Sequence, residues 1–439
     1  MICLLPARRR HTAAGRQSAL AIAPRTPEKE RTDDFVTSTA TSATTLKTGQ
    51  SKNLVLALLG FTITFWAWNI IAPLGVRYSG ELRLSPTQTS FLVAMPVLVG
   101  SLGRVPVGAL TDRYGGRMMF TVLTMVSAVP VLLVAFAGTL QSYVLLLVFG
   151  FFLGVAGTTF AVGIPFVNAW FEPARRGFAT GVFGAGMGGT ALSAFFTPRL
   201  VRSIGYLPTH LLIAGALIVV GAVLWLTMRD SPAWKPNLAP VVPKLTAAAK
   251  LPLTWQMSFL YAVVFGGFVA FSTYLPTYLR NVYEFGLTGA GTRTAGFAIA
   301  AVVARPIGGI VADKIGPRKV VGISLAGAAV MSLIIALRLP PEIPAGTSFV
   351  VMAVFLGLGT GGVFAWVAEL APAERVGAIT GIVGACGGLG GFFPPLVMGA
   401  TYNEAAHSYT IGLVLLTITA SGALLFTLFG IRRKAPAIT

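Results

Sequence analysis

The stretch "GRVPVGALTDRYGGR", residues 103–117, decides how this chain is read. It follows an apolar run, "SFLVAMPVLVGSL" (90–102), and leads into a polar, glycine-rich loop starting near Asp112, yet its second letter is an arginine. Arg104 lies eight residues before Asp112, which on a helix is about 12 Å at 1.5 Å per residue. That is too deep in an apolar segment for the side chain to reach water comfortably. A guanidinium near the centre of a bilayer costs at least about 2.5–3.5 kcal/mol on insertion scales, and arginine cannot escape the cost by losing its proton. A residue kept there needs a partner.

The surroundings are those of a membrane protein. Of 439 residues, 55% are hydrophobic and 11% charged, against roughly 25% charged in a soluble domain. Runs of about 20 apolar residues each span a bilayer as one helix. Twelve are counted, at 53–75, 87–110, 118–138, 141–168, 178–200, 208–228, 253–279, 291–312, 319–337, 346–368, 377–400 and 408–431. The expected fold is an all-α membrane protein with twelve transmembrane helices.

The basic excess, 33 Lys and Arg against 14 Asp and Glu, would suit nucleic acid but for its distribution. Nine basic residues lie in the first 52 and seven in one set of loops. Fifteen lie in the alternate loops and the C-terminal end, among them Arg113, Arg117, Arg175, Arg176, Arg229, Lys235, Lys314, Arg318, Lys319 and Arg432. By the positive-inside rule both termini are cytoplasmic and the charge is an orientation signal. The expected partner is the lipid bilayer, and no nucleic acid. Cys3 and Cys386 give no disulfide framework and no metal spacing. His11, His210 and His407 fall in the tail or near helix ends. No cofactor, metal site or nucleophile–base set is visible, so the chain does not read as an enzyme. Residues 1–52 lack periodicity and read as a disordered basic cytoplasmic tail; "ALAIAP" is too short for the apolar core of a signal peptide.

Arg104 has a counterpart. "RVPVGALTDRYGGR" (104–117) matches "RPIGGIVADKIGPR" (305–318) at an offset of 201, aligning Arg104 with Arg305 and Asp112 with Asp313. "GFATGVFGAG" (177–186) matches "GAITGIVGAC" (377–386) at an offset of 200. The second and fifth spans thus correspond to the eighth and eleventh. Two six-helix halves follow, 53–228 and 253–431, joined by a cytoplasmic linker at 229–252 and followed by a tail at 432–439. A parallel repeat of this kind places a substrate site at the interface of the halves, near the bilayer midplane.

"GALTDRYGGR" (108–117) resembles the loop between helices 2 and 3 of the major facilitator superfamily, and the similarity runs from about residue 53 to 431. More narrowly, "GAITGIVGACGGLGGFFPP" (377–395), "GFATGVFGAGMGGTAL" (177–192) and "WQMSFLYAVVFGGFVAF" (255–271) resemble its nitrate/nitrite porter branch. The resemblance implies a secondary transporter, a monomer in the bacterial cytoplasmic membrane, moving nitrate or nitrite by alternating access. It also implies that Asp112, Arg113 and Arg117, with Asp313 and Arg318, lock the cytoplasmic ends of the halves. The glycine-rich faces read equally as close helix packing in lipid, which is compatible with halves that slide.

A charge census completes the argument. Nine, fifteen and seven basic residues leave two of 33, and these are Arg104 and Arg305; no acidic residue falls deep in a span. Two cations about 8 Å apart repel by roughly 2 kcal/mol at an effective dielectric of 20, and an anion about 4 Å from each gains roughly 4 kcal/mol per contact. The other use of each arginine is to bind backbone carbonyls and stabilise the fold. Guanidinium is a planar fork suited to planar oxyanions, and nitrate and nitrite are small and planar. From the resemblance, Phe160, Tyr261 and Phe265 are the expected aromatic lining. Tyr261 and Phe265 are four apart and share a helix face, so Tyr261 would donate a hydrogen bond while Phe265 and Phe160 sandwich the anion. The chain departs from the family where many members carry Gly-Asn; it reads Gly186-Met187-Gly188 and Gly359-Thr360-Gly361. Another small anion, a carboxylate or phosphate, stays open, as do proton-coupled import and exchange. A membrane anion sensor would need a signalling domain that neither the tail nor the loops supply.

Overall fold

The computed structural model describes residues 29–431 apart from 173–174, 238–239 and 373–374, with side chains from Gly49 onward. The tail segments 1–28 and 432–439 lie outside the described residues, and 29–52, expected to be disordered, is helical as the first part of Lys29–Trp68. The described residues from Leu46 onward form one compact unit, and their repeating structure is helical.

The first half comprises α1 (Gly49–Leu82, interrupted at Asn69–Leu74), α2 (Pro86–Leu102 and Arg104–Tyr114), α3 (Gly116–Thr139), α4 (Tyr143–Trp170), α5 (Arg176–Gly184 and Gly189–Ile204) and α6 (Tyr206–Thr227). A short helix, Val241–Ala249, lies in the linker. The second half comprises α7 (Pro252–Tyr283), α8 (Leu287–Ile315), α9 (Pro317–Ala336), α10 (Pro341–Leu370), α11 (Val376–Ala400) and α12 (Thr410–Gly430). Among the described residues ten of these are long and apolar enough to cross a membrane, and α2 makes eleven if its bent halves count as one span. The twelfth, α5, is broken by a tight 3-10 turn at Ala185–Gly188, and its glycines dilute its hydropathy.

Local chemistry sets the boundaries. Ser85 caps α2 reciprocally with Gln88, Oγ accepting from the Gln88 N–H while Gln88 accepts from the Ser85 N–H. The loops expected to start at Asp112 and Asp313 are shorter than expected. The helices run on to Tyr114 and Ile315, and each turn is made by one glycine with positive φ, Gly115 at 87° and Gly316 at 92°. Only glycine takes that conformation without a Cβ clash.

Across the halves, α2 packs on α11 and α5 on α8. A Cβ added at Gly291 of α8 would strike the Ala194 carbonyl of α5, and one at Gly399 of α11 would strike Ser90 and the Pro86 carbonyl of α2. Both contacts lie on the face away from the Asp112 and Asp313 turns. Nearer those turns, a Cβ at Gly108, Gly177, Gly309, Gly377 or Gly381 would meet nothing within 4 Å. At these glycines the tight contacts between the halves lie on the face away from the turns.

Candidate functional site

The site grows from the bend in α2. Its two segments meet at about 40° beside Gly103, where Pro106 lacks a backbone N–H and its ring crowds the carbonyl one turn earlier. Arg104 opens the second segment and is 3% exposed. Its Nε donates back to the Gly100 carbonyl at 3.0 Å, and Nη1 crosses to the Gly384 carbonyl of α11 at 2.8 Å. The carbonyl-binding role open in the sequence is therefore realised. It does not exhaust the side chain: Nη2 is buried with no hydrogen-bond partner among the described residues.

Arg305 makes the mirrored crossing with weaker acceptors. From α8 its Nη1 reaches the Met187 thioether on α5 and its Nη2 the Tyr261 hydroxyl at 3.4 Å. Neither arginine is in an ion pair among the described residues, where the two pairs are Arg77–Glu81 and Arg293–Glu342. The side chains bonded to or stacked on the two arginines include no carboxylate and no histidine.

The expected aromatics come together here. A 3-10 stretch, Gly154–Thr158, breaks α4 just before Phe160, the kind of interruption found at hinges and functional positions. Phe160 and Phe265 face each other with centroids 6.3 Å apart and planes 22° apart. Tyr261 stacks on Phe265 at 4.9 Å and 8°. Both guanidinium groups lie over both phenyl rings: Arg104 is 4.7 Å from Phe160 and 5.4 Å from Phe265, and Arg305 is 5.6 and 5.9 Å from them. Five residues from four helices, α2, α4, α7 and α8, converge on one point. Glycine makes the convergence possible, since a Cβ at Gly387 would enter the Tyr261 ring and one at Gly388 would strike Ser101 beside Arg104.

Three participants carried no role in the sequence reading. Phe364 of α10 lies 4.6 Å from the Tyr261 ring and 5.7 Å from the Arg305 guanidinium. The Gly384 carbonyl anchors Arg104, and Met187 touches Arg305. Only Met187 was signalled, as the residue standing where the family often has an amide.

The turn residues behave differently from the expected latch. Arg117 donates from Nη2 and Nε to the Trp225 carbonyl at the end of α6, at 2.7 and 3.1 Å, and its backbone N–H is accepted by Asp230 at 3.0 Å. Arg318 donates to the Thr427 and Leu428 carbonyls at the end of α12. Each arginine thus caps the last helix of its own half, where a cation complements the helix dipole. Asp112, Arg113 and Asp313 are exposed, and neither aspartate is in an ion pair among the described residues.

The Major Facilitator Superfamily profile matches residues 57–293 and 282–438. A Mycobacterium tuberculosis protein named "Probable nitrate/nitrite transporter NarK2" is 58% identical over 379 residues, covering 86% of this chain and 96% of that protein. A Thermus thermophilus protein named "Probable nitrate/nitrite antiporter NarK1" is 36% identical over 375 residues, covering 78% and 83%. Among solved structures, an inward-facing, unoccupied bacterial homologue of the human lysosomal transporter Spinster shares the fold, with a TM-score of 0.68 at 20% identity, covering 88% of this chain and 99% of that one. With two matched halves, a shared fold and relatives of this identity along most of its length, the chain belongs to the major facilitator superfamily, in its nitrate/nitrite porter family.

Proposed function

We propose that the chain is a secondary transporter that carries nitrate and nitrite across the bacterial cytoplasmic membrane by alternating access, with the anion clamped between Arg104 and Arg305. The observation that carries the reading is that both guanidinium groups lie over the same two nearly parallel rings, Phe160 and Phe265. A flat anion between rings needs two carbon-contact distances, about 7 Å in all, so a slight parting of rings now 6.3 Å apart admits one. The Arg104 Nη2 and the Arg305 N–H groups beyond those that meet Met187 and Tyr261 would be the donors at its edges, and Tyr261 supplies a hydroxyl. Asp112, Arg113, Arg117, Asp313 and Arg318 belong to the cytoplasmic gate, forming cross-half contacts when that face closes. The charge asymmetry of the loops supports a cytoplasmic position for both termini.

Exchange of nitrate for nitrite is favoured over proton symport. Proton coupling usually uses a group in the pathway that titrates near physiological pH, and the arginines' partners provide none. Empty, the two cations repel and resist closure. Loaded, the anion offsets the repulsion and the halves can close around it. Proteoliposomes loaded with nitrite should take up labelled nitrate quickly, while empty ones under an imposed inward proton gradient should not. Concentrative uptake into empty vesicles, abolished by a protonophore, refutes exchange. Phosphate or formate competing as well as nitrite refutes the choice of anion.

A further inference from the structure

Alternating access requires that whatever joins the halves on one face come apart in the other state. Among the described residues five side-chain hydrogen bonds join the halves, two of them made by the site arginines. The other three lie on the face away from the Asp112 and Asp313 turns. Arg199 to Thr292 is exposed, and Thr87 to the Gly399 carbonyl is long at 3.4 Å. The third is enclosed. A hydrogen bond of 2.9 Å joins Ser90 Oγ of α2 to the Tyr274 hydroxyl of α7, with Ser90 0% and Tyr274 3% exposed.

That bond is backed by a network in the second half. The Tyr274 and Tyr409 hydroxyls are hydrogen-bonded at 3.1 Å, and Tyr409 also accepts from Asn281 Nδ2 at 2.6 Å, two turns farther along α7. The Tyr409 ring packs at a tilt against Tyr402 at 4.5 Å and Tyr278 at 5.3 Å. Tyr274 is therefore backed by packed neighbours, and Gly399 leaves the room that Ser90 occupies. None of this touches the anion site. Tyr274 is thirteen residues beyond Tyr261 on one helix, about 20 Å away.

Resting on the alternating-access reading, we propose that Ser90 and Tyr274 are gating residues of the transport reaction: their buried hydrogen bond latches the outer face, and its strength sets how often that face opens. Tyr274→Phe removes the bond without orphaning its neighbours, because Ser90 retains the Pro86 carbonyl at 2.7 Å and Tyr409 retains Asn281. Losing one net hydrogen bond shifts a two-state population by about two- to tenfold.

The test places spin labels at Gln88→Cys and Arg280→Cys, exposed outer-end positions in opposite halves, with Cys3 and Cys386 replaced by serine. Pulsed dipolar distances in liposomes should show one dominant short separation in this parent. Tyr274→Phe and Ser90→Ala should each raise a longer-distance component about two- to tenfold, and the double variant no further, since both remove one bond. In transport, the apparent KM should fall from the outside and rise from the inside, because each side samples a changed fraction of competent carrier. Unchanged distances in both variants, or KM shifts of the same sign on both sides, overturn the latch. If the distances shift while nitrate and nitrite go untransported, the anion assignment fails and the latch is upheld.

Discussion

Lysine in place of Arg104 or Arg305 keeps the positive charge and removes the planar fork, and the structure says the two replacements are unequal. Arg104 commits Nε and Nη1 to the Gly100 and Gly384 carbonyls, stacks 4.7 Å over Phe160, and has a buried Nη2 with no hydrogen-bond partner among the described residues, the donor proposed to meet the anion. An ammonium on a flexible stem cannot meet two helices and an anion in one plane. Losing a charge-assisted hydrogen bond costs about 1.5–3 kcal/mol, and the cation–ring contact about 0.5–2 kcal/mol more. Together these weaken binding by roughly 30-fold to a few thousandfold. Arg305 stands farther from the rings, at 5.6 and 5.9 Å, and holds only a thioether and a hydroxyl. Its lysine variant loses mainly the charge-assisted bond, about 10- to 150-fold. Titration of purified protein with labelled nitrite, beside thermal melts in the same detergent, reads both quantities. Folded Arg104→Lys or Arg305→Lys protein binding within about threefold of wild type would refute the clamp, and a larger loss at Arg305 than at Arg104 would refute the division of labour.

Other positions give further tests. Tyr261→Phe keeps the stack on Phe265 and removes the hydroxyl that meets the Arg305 guanidinium; its bond to an anion would be charge-assisted, so the anion dissociation constant should rise about 10- to 150-fold with melting unchanged; no change in affinity removes Tyr261 from the site. Gly387→Ala drives a methyl into the Tyr261 ring, so binding measured by the same titration should fall at least as far as in Tyr261→Phe. Asp230 accepts the Arg117 N–H under α3, yet burial pushes its carboxyl above the usual range. An acid raised in this way stabilises the fold fully below its unfolded value of 3.8 and loses that contribution as pH climbs through the raised folded value. Melts across the acidic range should fall with rising pH in wild type and flatten in Asp230→Asn; parallel curves refute the assignment.

Some expectations differ from what the structure shows in this state. The Asp112 turn looked like a polar loop because charged and glycine residues cluster there, but one glycine with positive φ suffices to reverse the chain. Arg117 and Arg318 were expected to reach across the halves from resemblance alone, and in this structure they cap α6 and α12. Residues 29–52 are polar enough to read as disordered, yet continue the helix that becomes α1.

The sequence by itself determined the membrane class, the two halves and the unpaired arginines. These follow from quantities that add along a line: apolar length against bilayer thickness, the offset of a repeat, and a census in which two cations have no neighbouring carboxylate. Resemblance added Phe160, Tyr261 and Phe265. Only the tertiary structure decided that Arg104 is tied to the Gly384 carbonyl and Arg305 to Met187, that Phe364 joins the site, and that Ser90 meets Tyr274. The reason is physical. A helix apolar on every face carries no stripe to say which side turns inward, so its rotation is settled by glycine contacts and hydrogen bonds to other helices, some of them hundreds of residues away.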